Sequence, residues 1–339
     1  MQENQTKPTS FCTRPFHEIE IHSTGEVYTC CPNWNKFYSI GNILNDSFEN
    51  VWNSEKAIDV RTRILNNDYS LCDVENCPYI KQNDFVGDFE QNACKPVMDT
   101  SPTIVKFVYD KECNIACKIC RDRVKRLSDE DLKLLNDKID TFFLPLLKST
   151  ESLIVNSYGD PFGSRHSSLL IKKAAEKYPN LKFDFHTNGI LCNETHFKNL
   201  NITPDKIGKI RISIHAATAK TYAKTVPNGE FYFPKIIENL KYLQTLKSKY
   251  NFPIYIHFVV TSDNFKEIPD FIKLAEEVDA SPRFWEYRET NCDYQNPENL
   301  FVCNEDHPQH KELVEVLQHP LVKQYKQYFS PIMYDKIGI

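Results

Sequence analysis

Residues 113–120 read Cys-Asn-Ile-Ala-Cys-Lys-Ile-Cys, directly after an apolar, alternating run at 104–109. Its cysteines, Cys113, Cys117 and Cys120, are separated by three and by two residues on one short loop. A [4Fe–4S] cluster normally takes four cysteine thiolates, so three of them leave one iron without a protein ligand. An open coordination position of this kind is what a catalytic metal site requires. The stretch therefore predicts a reactive iron–sulfur centre at the end of a strand.

The composition limits the classes of protein that the chain can belong to. Its 339 residues, 41% hydrophobic and 26% charged, suffice for one large or two ordinary domains with real cores. A net charge of −5 offers no basic surface for nucleic acid. We find no run of 18 apolar residues and no signal peptide, so we expect a cytoplasmic protein without a membrane span. Twelve cysteines without an export signal then favour metal or redox chemistry over disulfides.

The first eighty residues predict a small module of their own. An alternating run at 17–22 and a second one at 27–30 predict a β-hairpin. Residues 47–54 (Ser-Phe-Glu-Asn-Val-Trp-Asn-Ser) predict a helix capped by Ser47, and a second helix is expected at 55–65.

Four cysteines of this segment form two pairs: Cys12 with Cys30, and Cys72 with Cys77. The hairpin would bring the first pair together at one end. Such a set suits either a second iron–sulfur cluster or a zinc site. Cys31 could replace its neighbour as a ligand, whereas Cys94 lies outside the pattern and is interpreted as structural or free.

From residue 101 onward, strand-like and helix-like stretches alternate, a pattern typical of βα units around a parallel sheet. The predicted strands are 104–109, 152–157, 182–186, 209–215, 254–260 and 283–287. The predicted helices are 129–147, 167–177, 194–200, 232–249 and 268–278, with a further helical stretch at 309–328 broken at Pro320. In such folds, ligands gather at the carboxyl ends of the strands.

The motifs at those strand ends resemble the radical S-adenosylmethionine (radical SAM) superfamily. Besides the cysteine loop they are Tyr158-Gly159-Asp160-Pro161-Phe162, similar to the family's Gly-Gly-Glu-Pro element, Thr187-Asn188-Gly189, the run from Ser213, and the run around Asn264. The resemblance implies a partial (β/α)6 TIM-like barrel, which we place at residues 98–290. His215 stands where relatives usually carry aspartate, and we interpret it as a local hydrogen-bonding residue.

The N-terminal segment resembles the SPASM domain, an auxiliary-cluster module of many radical SAM enzymes. The order of its cysteines, the Gly-Asn-Ile at 41–43 and the helix at 47–54 carry this resemblance. SPASM modules usually follow the barrel, whereas here the module, placed at 1–97, precedes it. Residues 291–339 would form a C-terminal extension.

The resemblance also implies the site residues. Cys113, Cys117 and Cys120 would hold the [4Fe–4S] cluster, and SAM would chelate its open iron. Ile119 is expected to contact SAM near the adenine, and Tyr158, Gly159, Asp160 and Pro161 are expected at the methionine amino group. Further contacts are expected from Asn188, Ser213 and Asn264. For Asn264, a helix-capping role is equally open. Cys12, Cys30, Cys72 and Cys77 would hold a second cluster, also taken as [4Fe–4S], which binds substrate or accepts an electron.

Two classes of reaction remain open at this point. The family cleaves SAM reductively to a 5′-deoxyadenosyl radical that abstracts a substrate hydrogen, with a donor such as flavodoxin or ferredoxin. One class modifies a peptide by a thioether, a carbon–carbon crosslink or an epimerisation; the other oxidises a sugar, an alcohol or another small metabolite. Cys292 or Cys303 could donate a hydrogen atom in an epimerisation, or could be a buried or free thiol. A zinc-binding scaffold protein is the remaining, non-enzymatic alternative.

Overall fold

The computed structural model of the chain describes residues 11–22, 25–75, 77–81, 93–155, 158–288, 298–330 and 333. The chain divides into two compact units. Unit 1 contains Met1–Lys111, Leu127–Tyr158 and Arg165–Phe183, and unit 2 contains Glu112–Arg126, Gly159–Ser164 and Asp184–Ile339. The boundaries at 97/98 and 290/291 stay predictions.

Unit 1 begins with helix α1 (Arg14–His17) and the three strands β1 (Glu18–Ile21), β2 (Glu26–Tyr28) and β3 (Gly41–Asn42). β1 and β2 are antiparallel, with Glu20 opposite Tyr28, which confirms the predicted hairpin. β3 continues the sheet beside β2. Helices α2 (Phe48–Trp52), α3 (Glu55–Leu65) and α4 (Pro78–Lys81) follow.

The predicted Ser47 cap forms at α2, and α3 has a similar cap that the sequence did not predict. The Ser47 hydroxyl accepts a hydrogen bond from the Asn50 amide at 3.3 Å, and Ser54 likewise caps α3 through the Ala57 amide at 3.2 Å. Each serine thereby satisfies an amide that the first helical turn leaves without a partner. The apolar face of α2, including Trp52, is buried as the spacing predicted.

A buried guanidinium holds the module together. Arg61 on α3 is 0% exposed, donates to the carbonyls of Pro15 and Pro96 and to Asn53 Oδ1 at 2.9 to 3.2 Å, and lies over the ring of Trp52. Burial lowers the pKa of Arg61 to about 10. One side chain thus ties together three separate stretches of the module.

We expect Arg61→Met to lower the free energy of unfolding by about 3 kcal/mol, because it leaves buried acceptors without a donor. Denaturant unfolding measures the change. The matched control is Arg63→Met, two residues along the same helix, whose ion pair with Asp59 is exposed and should leave stability unchanged within error. Equal losses for the two variants would contradict the assignment.

The rest of unit 1 contains parallel strands and helices. β4 (Ile104–Phe107) pairs in parallel with β5 (Ser152–Val155) on one side and with β1 on the other, with Ile104 opposite Glu18. The hairpin of the cysteine-rich segment therefore extends the parallel sheet of its own unit, which the sequence did not predict. Helix α5 (Asp129–Lys138) continues through a π-helical turn at Ile139–Phe143 into α6 (Leu144–Leu146), and α7 (Arg165–Lys177) precedes β6 (Lys182–Thr187). The unit boundary falls within β6, whose residues from Asp184 onward belong to unit 2.

Unit 2 is built on the parallel strands β7 (Ile207–Ser213), β8 (Ile254–Val260) and β9 (Ser281–Glu286). Its helices are α8 (Glu194–Asn199), α9 (Ala219–Thr225), α10 (Gly229–Tyr250), α11 (Ile268–Glu277), α12 (His310–Leu317) and α13 (Pro320–Gln324). A break between α12 and α13 lies at Pro320, as predicted. All six predicted strands are present; β8 has the predicted bounds, and the other five differ by a few residues at one or both ends.

Alternation along the strands of unit 2 separates two faces. In β8, residues Ile254, Ile256, Phe258 and Val260 are buried, whereas Tyr255, His257 and Val259 are only half-buried. β7 and β9 repeat this pattern, with Ile212 and Phe284 buried. The chain is thus a mixed α/β protein with parallel strands in each unit, as the fold class predicted in its general form. In the part of the chain that the structure describes, no helix combines the length and apolarity needed to cross a membrane.

Candidate metal centres

The three cysteines of the 113–120 loop lie in unit 2, where they influence one another's ionisation. Burial raises the pKa of Cys117, and the neighbouring Cys113 and Cys120 raise it further. Burial likewise raises the pKa of Cys113 to about 11. Backbone hydrogen bonds from Cys120 and Arg121 to the Cys117 carbonyl, at 2.8 and 2.9 Å, fold the loop into a tight turn. Buried thiols that disfavour one another's ionisation are suited to share a bound cation, which favours the thiolates.

Two polar groups beside these thiols fit a bound cluster. Arg121 Nη2 lies 3.4 Å from Cys120 Sγ and supplies a positive charge. Tyr222 is 1% exposed, and within the described residues its hydroxyl has no hydrogen-bond partner. Burial raises the pKa of Tyr222, and Cys117 and Cys113 raise it further, so the hydroxyl lies near the thiols. A buried hydroxyl rarely stays unpaired in a folded protein, so this one fits a donor to a group held on the loop.

Asp160 connects two strand ends. Its Oδ2 accepts hydrogen bonds from Thr187 Oγ1 at 2.7 Å and from the Asn188 amide at 2.8 Å, and its Oδ1 accepts from the amides of Phe162 and Gly163, both at 3.1 Å. The side chain is 0% exposed, and burial raises its pKa against the opposing effect of these donors. Because its acceptor sites are used internally, the carboxylate positions the loop, and the predicted contact of this element with the ammonium of SAM stays a prediction.

Asn188 connects the same strand end to the cysteine loop. Its Nδ2 donates to Asn114 Oδ1 at 2.8 Å and lies 3.8 Å from Cys113 Sγ. Gly163 approaches closely as well, since a Cβ there would lie 2.9 Å from Asn114 Oδ1. The predicted residues Cys113, Asp160 and Asn188 are therefore brought together by the fold.

Ser213 and Asn264 occupy different surroundings. Ser213 Oγ lies 3.1 Å from His186 Nε2 at the end of β7. Asn264 is 2% exposed and uses its amide on the backbone: Nδ2 donates to the carbonyls of His215 and Val259, and Oδ1 accepts from Thr261. These contacts favour a positioning role, although the predicted cofactor contact of Asn264 stays a prediction. His215 Nδ1 accepts the Val259 amide at 3.0 Å, which is the local bonding role predicted for it.

The remaining predicted residues are more scattered. Ile119 is 8% exposed and belongs to an apolar cluster with Tyr287 and Leu300. Tyr158 lies in unit 1, where its ring is 6.3 Å from that of His22. Cys303 is buried in unit 2. Cys292 lies outside the described residues.

A second group of thiols lies in unit 1. Cys12, Cys30, Cys72 and Cys77 line a single cavity. Burial raises the pKa of Cys12 to about 12, with Cys72 and Cys77 adding to the shift. Cys31 is absent from the described residues that line this cavity, and so is Cys94. The four predicted cysteines therefore share one cavity, and their role as cluster ligands stays a prediction.

Two unpaired polar atoms point to a bound group in this cavity. Thr29 Oγ1 and Asn35 Oδ1 are buried, belong to residues that line it and have no hydrogen-bond partner among the described residues. Among all the residues that the structure describes, no three His, Cys, Asp or Glu side chains are grouped as they would be around a single metal ion. The cysteines of a [4Fe–4S] cluster each bind a different iron, so they need not converge in this way. The donor set thus fits a cluster.

Sequence reasoning missed the polar neighbours of both thiol groups. Arg121 follows Cys120 directly and Thr29 precedes Cys30 directly, so adjacency to a ligand was the available signal. Tyr222 lies far from the cysteine loop in the sequence, and its electrostatic interaction with Cys117 and Cys113 depends on the packing of α9.

His186 should make the free energy of unfolding depend on pH. Burial, followed by Arg211 and His215, lowers its pKa to about 3. An unfolded histidine takes up a proton below about pH 6.5, whereas folded His186 stays neutral. The unfolded state therefore binds more protons, and the free energy of unfolding should fall by up to about 1.4 kcal/mol per pH unit below that point.

We expect His186→Gln to make this decline shallower when denaturant unfolding is compared between about pH 7 and pH 5. Ser213→Ala removes the hydroxyl that His186 contacts but no titrating group, and should keep the slope of the parent. Identical slopes for His186→Gln and the parent would contradict the assignment.

Comparison with known proteins bears on the N-terminal site. Residues 12–78 match the family model of SPASM, an iron–sulfur cluster-binding domain. No curated protein matches the chain. Among solved structures, SuiB of Streptococcus suis is 13% identical with a TM-score of 0.44, covering 81% of this chain and 54% of SuiB. A radical SAM methyltransferase from Sphaerobacter thermophilus is 12% identical with a TM-score of 0.39, covering 65% of this chain and 62% of the methyltransferase.

A third solved structure, anSMEcpe with bound AdoMet, is 18% identical with a TM-score of 0.36, covering 57% of this chain and 54% of the other. The chain thus spans about half the length of SuiB and of anSMEcpe. The predicted auxiliary-cluster module is confirmed as a family match. Residues 12–78 of this chain therefore match the SPASM iron–sulfur cluster-binding domain.

Proposed function

We propose that the chain is a radical SAM enzyme that removes a hydrogen atom from a peptide substrate. The observation that carries the proposal is the cysteine loop of unit 2: burial, followed by Cys117 and Cys113, raises the pKa of Tyr222, whose hydroxyl has no hydrogen-bond partner among the described residues. When bound, a reduced [4Fe–4S] cluster on this loop supplies the electron that cleaves SAM reductively, and hydrogen abstraction from the substrate follows.

The chain's own residues have distinct tasks in this proposal. Cys113, Cys117 and Cys120 are the ligands, and Arg121 offsets negative charge at the Cys120 sulfur. Tyr222 donates its hydroxyl hydrogen bond toward the bound group. Asp160, through its four hydrogen bonds, holds the loop after β5 against the end of β6, so that the backbone at Gly159 can receive the ammonium of SAM.

The four cysteines of unit 1 hold the second cluster in this proposal. They share a cavity with two unpaired polar atoms, and the SPASM match covers all four of them. A cluster with four protein ligands has no open iron for SAM, so its task is to bind substrate or to accept an electron. The peptide class follows from the resemblance of the SPASM module and the motif at 158–162 to peptide-modifying enzymes.

The test is SAM cleavage by the anaerobically reconstituted protein with a chemical reductant. We expect 5′-deoxyadenosine, with its yield rising when a suitable substrate is present. Pools of short peptides and of sugars and alcohols are supplied separately, and deuterium transfer from substrate into 5′-deoxyadenosine identifies the pool that is attacked. Protein that holds iron on both cysteine sets but forms no 5′-deoxyadenosine would contradict the proposal. Transfer from the sugar pool alone would reject the peptide class.

A further inference from the structure

The half-buried face of the strands in unit 2 carries a group of basic and aromatic side chains. In β7 this face presents Arg211 and Ser213, in β8 it presents Tyr255 and His257, and in β9 it presents Arg283 and Trp285. The strand register sets His257 between Ser213 and Arg283, and Tyr255 beside Arg211. Side chains that alternate with buried core residues on neighbouring parallel strands share one side of the sheet.

His186 of β6 joins this group. Its ring lies 5.1 Å from the ring of His257, and its Nε2 lies 3.1 Å from Ser213 Oγ. The ring of His257 lies 6.4 Å from that of Trp285. We name Arg211, Arg283, His186 and His257 the arginine–histidine face.

The charge of this face is not balanced by the described part of the chain. Neither Arg211 nor Arg283 forms an ion pair there, and Arg283 instead lies over the rings of Tyr255 and Tyr328, at 4.7 and 4.8 Å. The nearby carboxylates already have partners within the chain. Asp184 pairs with Lys209 at 3.0 Å, and Glu286 lies on the opposite, buried face, where Ser330 and Arg288 contact it.

The same two arginines affect the histidines. Burial lowers the pKa of His257, and its charged neighbours, including Arg211 and Arg283, lower it further. Both imidazoles are therefore neutral at physiological pH, and each can donate one hydrogen bond and accept another. Two guanidiniums supply the positive charge, and the rings of Tyr255 and Trp285 supply flat apolar walls.

We propose that the arginine–histidine face binds a carboxylate of the substrate. A guanidinium fork matches a carboxylate in a bidentate geometry, and half-buried charge-assisted hydrogen bonds are stronger than neutral ones. The assignment to a substrate rests on the proposed function. Because Ser213 is predicted to contact SAM and lies against His186, a carboxylate bound here would be next to the cofactor. The carboxylate of SAM itself is the rival source.

The experiment measures binding to the anaerobically reconstituted protein by equilibrium dialysis. The probe is isotope-labelled succinate, with succinamide as its uncharged analogue and inorganic phosphate as a competing anion, each with and without saturating SAM. We expect succinate to bind in the presence of SAM and succinamide not to bind. Arg211→Met and Arg283→Met should each weaken succinate binding about tenfold, with SAM affinity unchanged.

The matched control is Lys209→Met, on the same strand two residues before Arg211, whose charge is already paired with Asp184. It should keep succinate affinity. Arg211→Lys, which keeps the charge but not the fork, should recover part of the loss, and iron content equal to that of the parent shows that the variants are folded.

Several outcomes would overturn the proposal. They are the absence of succinate binding, equally strong binding of succinamide, and displacement of labelled succinate by phosphate at a lower concentration than by unlabelled succinate. A loss of succinate affinity in Lys209→Met equal to that in the arginine variants would also overturn it. Loss of SAM affinity in Arg211→Met together with exclusion of succinate by SAM would assign the face to the cofactor. Formation of 5′-deoxyadenosine is measured in parallel. SAM cleavage without succinate binding rejects this inference alone, whereas succinate binding without SAM cleavage rejects the proposed function alone.

Discussion

Replacing Cys113, Cys117 and Cys120 together by alanine should lower the iron content from about eight to about four atoms per chain and abolish 5′-deoxyadenosine formation. The three thiols lie on one loop and influence one another's pKa, so the variant removes every thiolate that the loop offers. The four cysteines of unit 1 line a separate cavity and should keep their iron. Iron and zinc analysis after anaerobic reconstitution measures both sites at once.

The reciprocal variant and a neutral control complete this experiment. Replacing Cys12, Cys30, Cys72 and Cys77 should also leave about four irons, but now with SAM cleavage retained. Cys303 is a buried cysteine of unit 2 that belongs to neither set, so the Cys303→Ala variant should keep the full iron content. Unchanged iron in the triple variant would reject the cluster on the 113–120 loop. No iron in that variant, with zinc near one per chain, would make the N-terminal site a zinc site.

Asp160→Asn should lower the free energy of unfolding by about 3 kcal/mol and weaken SAM binding. The carboxylate is fully buried and accepts four hydrogen bonds, two on each oxygen. An asparagine amide keeps one oxygen but turns the other position into a donor, which then faces two donors at close range. The strand-end loop would lose its connection to Thr187 and Asn188.

Thr187→Val is the matched control, because it removes a single donor to the same carboxylate. We expect a loss of about 1 kcal/mol for it, with SAM binding largely kept. Denaturant unfolding and equilibrium dialysis with SAM measure the two effects. If Asp160→Asn costs no more stability than Thr187→Val, the carboxylate does not hold the two strand ends together.

Much of the fold was predictable because its signals are local. The alternation in β8 predicted its bounds as Ile254–Val260, and Ser47 and Ser54 mark the starts of α2 and α3 through side-chain bonds to amides three residues away. The predicted strand ends were less accurate, as at β7, because hydrogen bonds to neighbouring strands decide where a strand ends.

The roles of individual site residues were harder to predict. Asp160 was predicted to contact an ammonium; the structure shows that it also accepts two hydrogen bonds from the amides of its own loop and two from Thr187 and Asn188 at the end of β6. A one-dimensional motif records which groups are present and does not record which of them are already paired. For the same reason, the unpaired hydroxyls of Tyr222 and Thr29 became visible only in the structure.

From the amino-acid sequence alone we could predict the cysteine sets, the SPASM match, the order of strands and helices and the position of the motifs at the strand ends. These depend on residue type and on short spacing. Tertiary structure alone decided that β1 pairs with β4, that Cys31 stays out of the N-terminal cavity and that Arg211 and Arg283 share a face with two histidines. Such relations join residues far apart in the chain, and they follow from which hydrogen bonds and buried contacts the whole fold can satisfy at once.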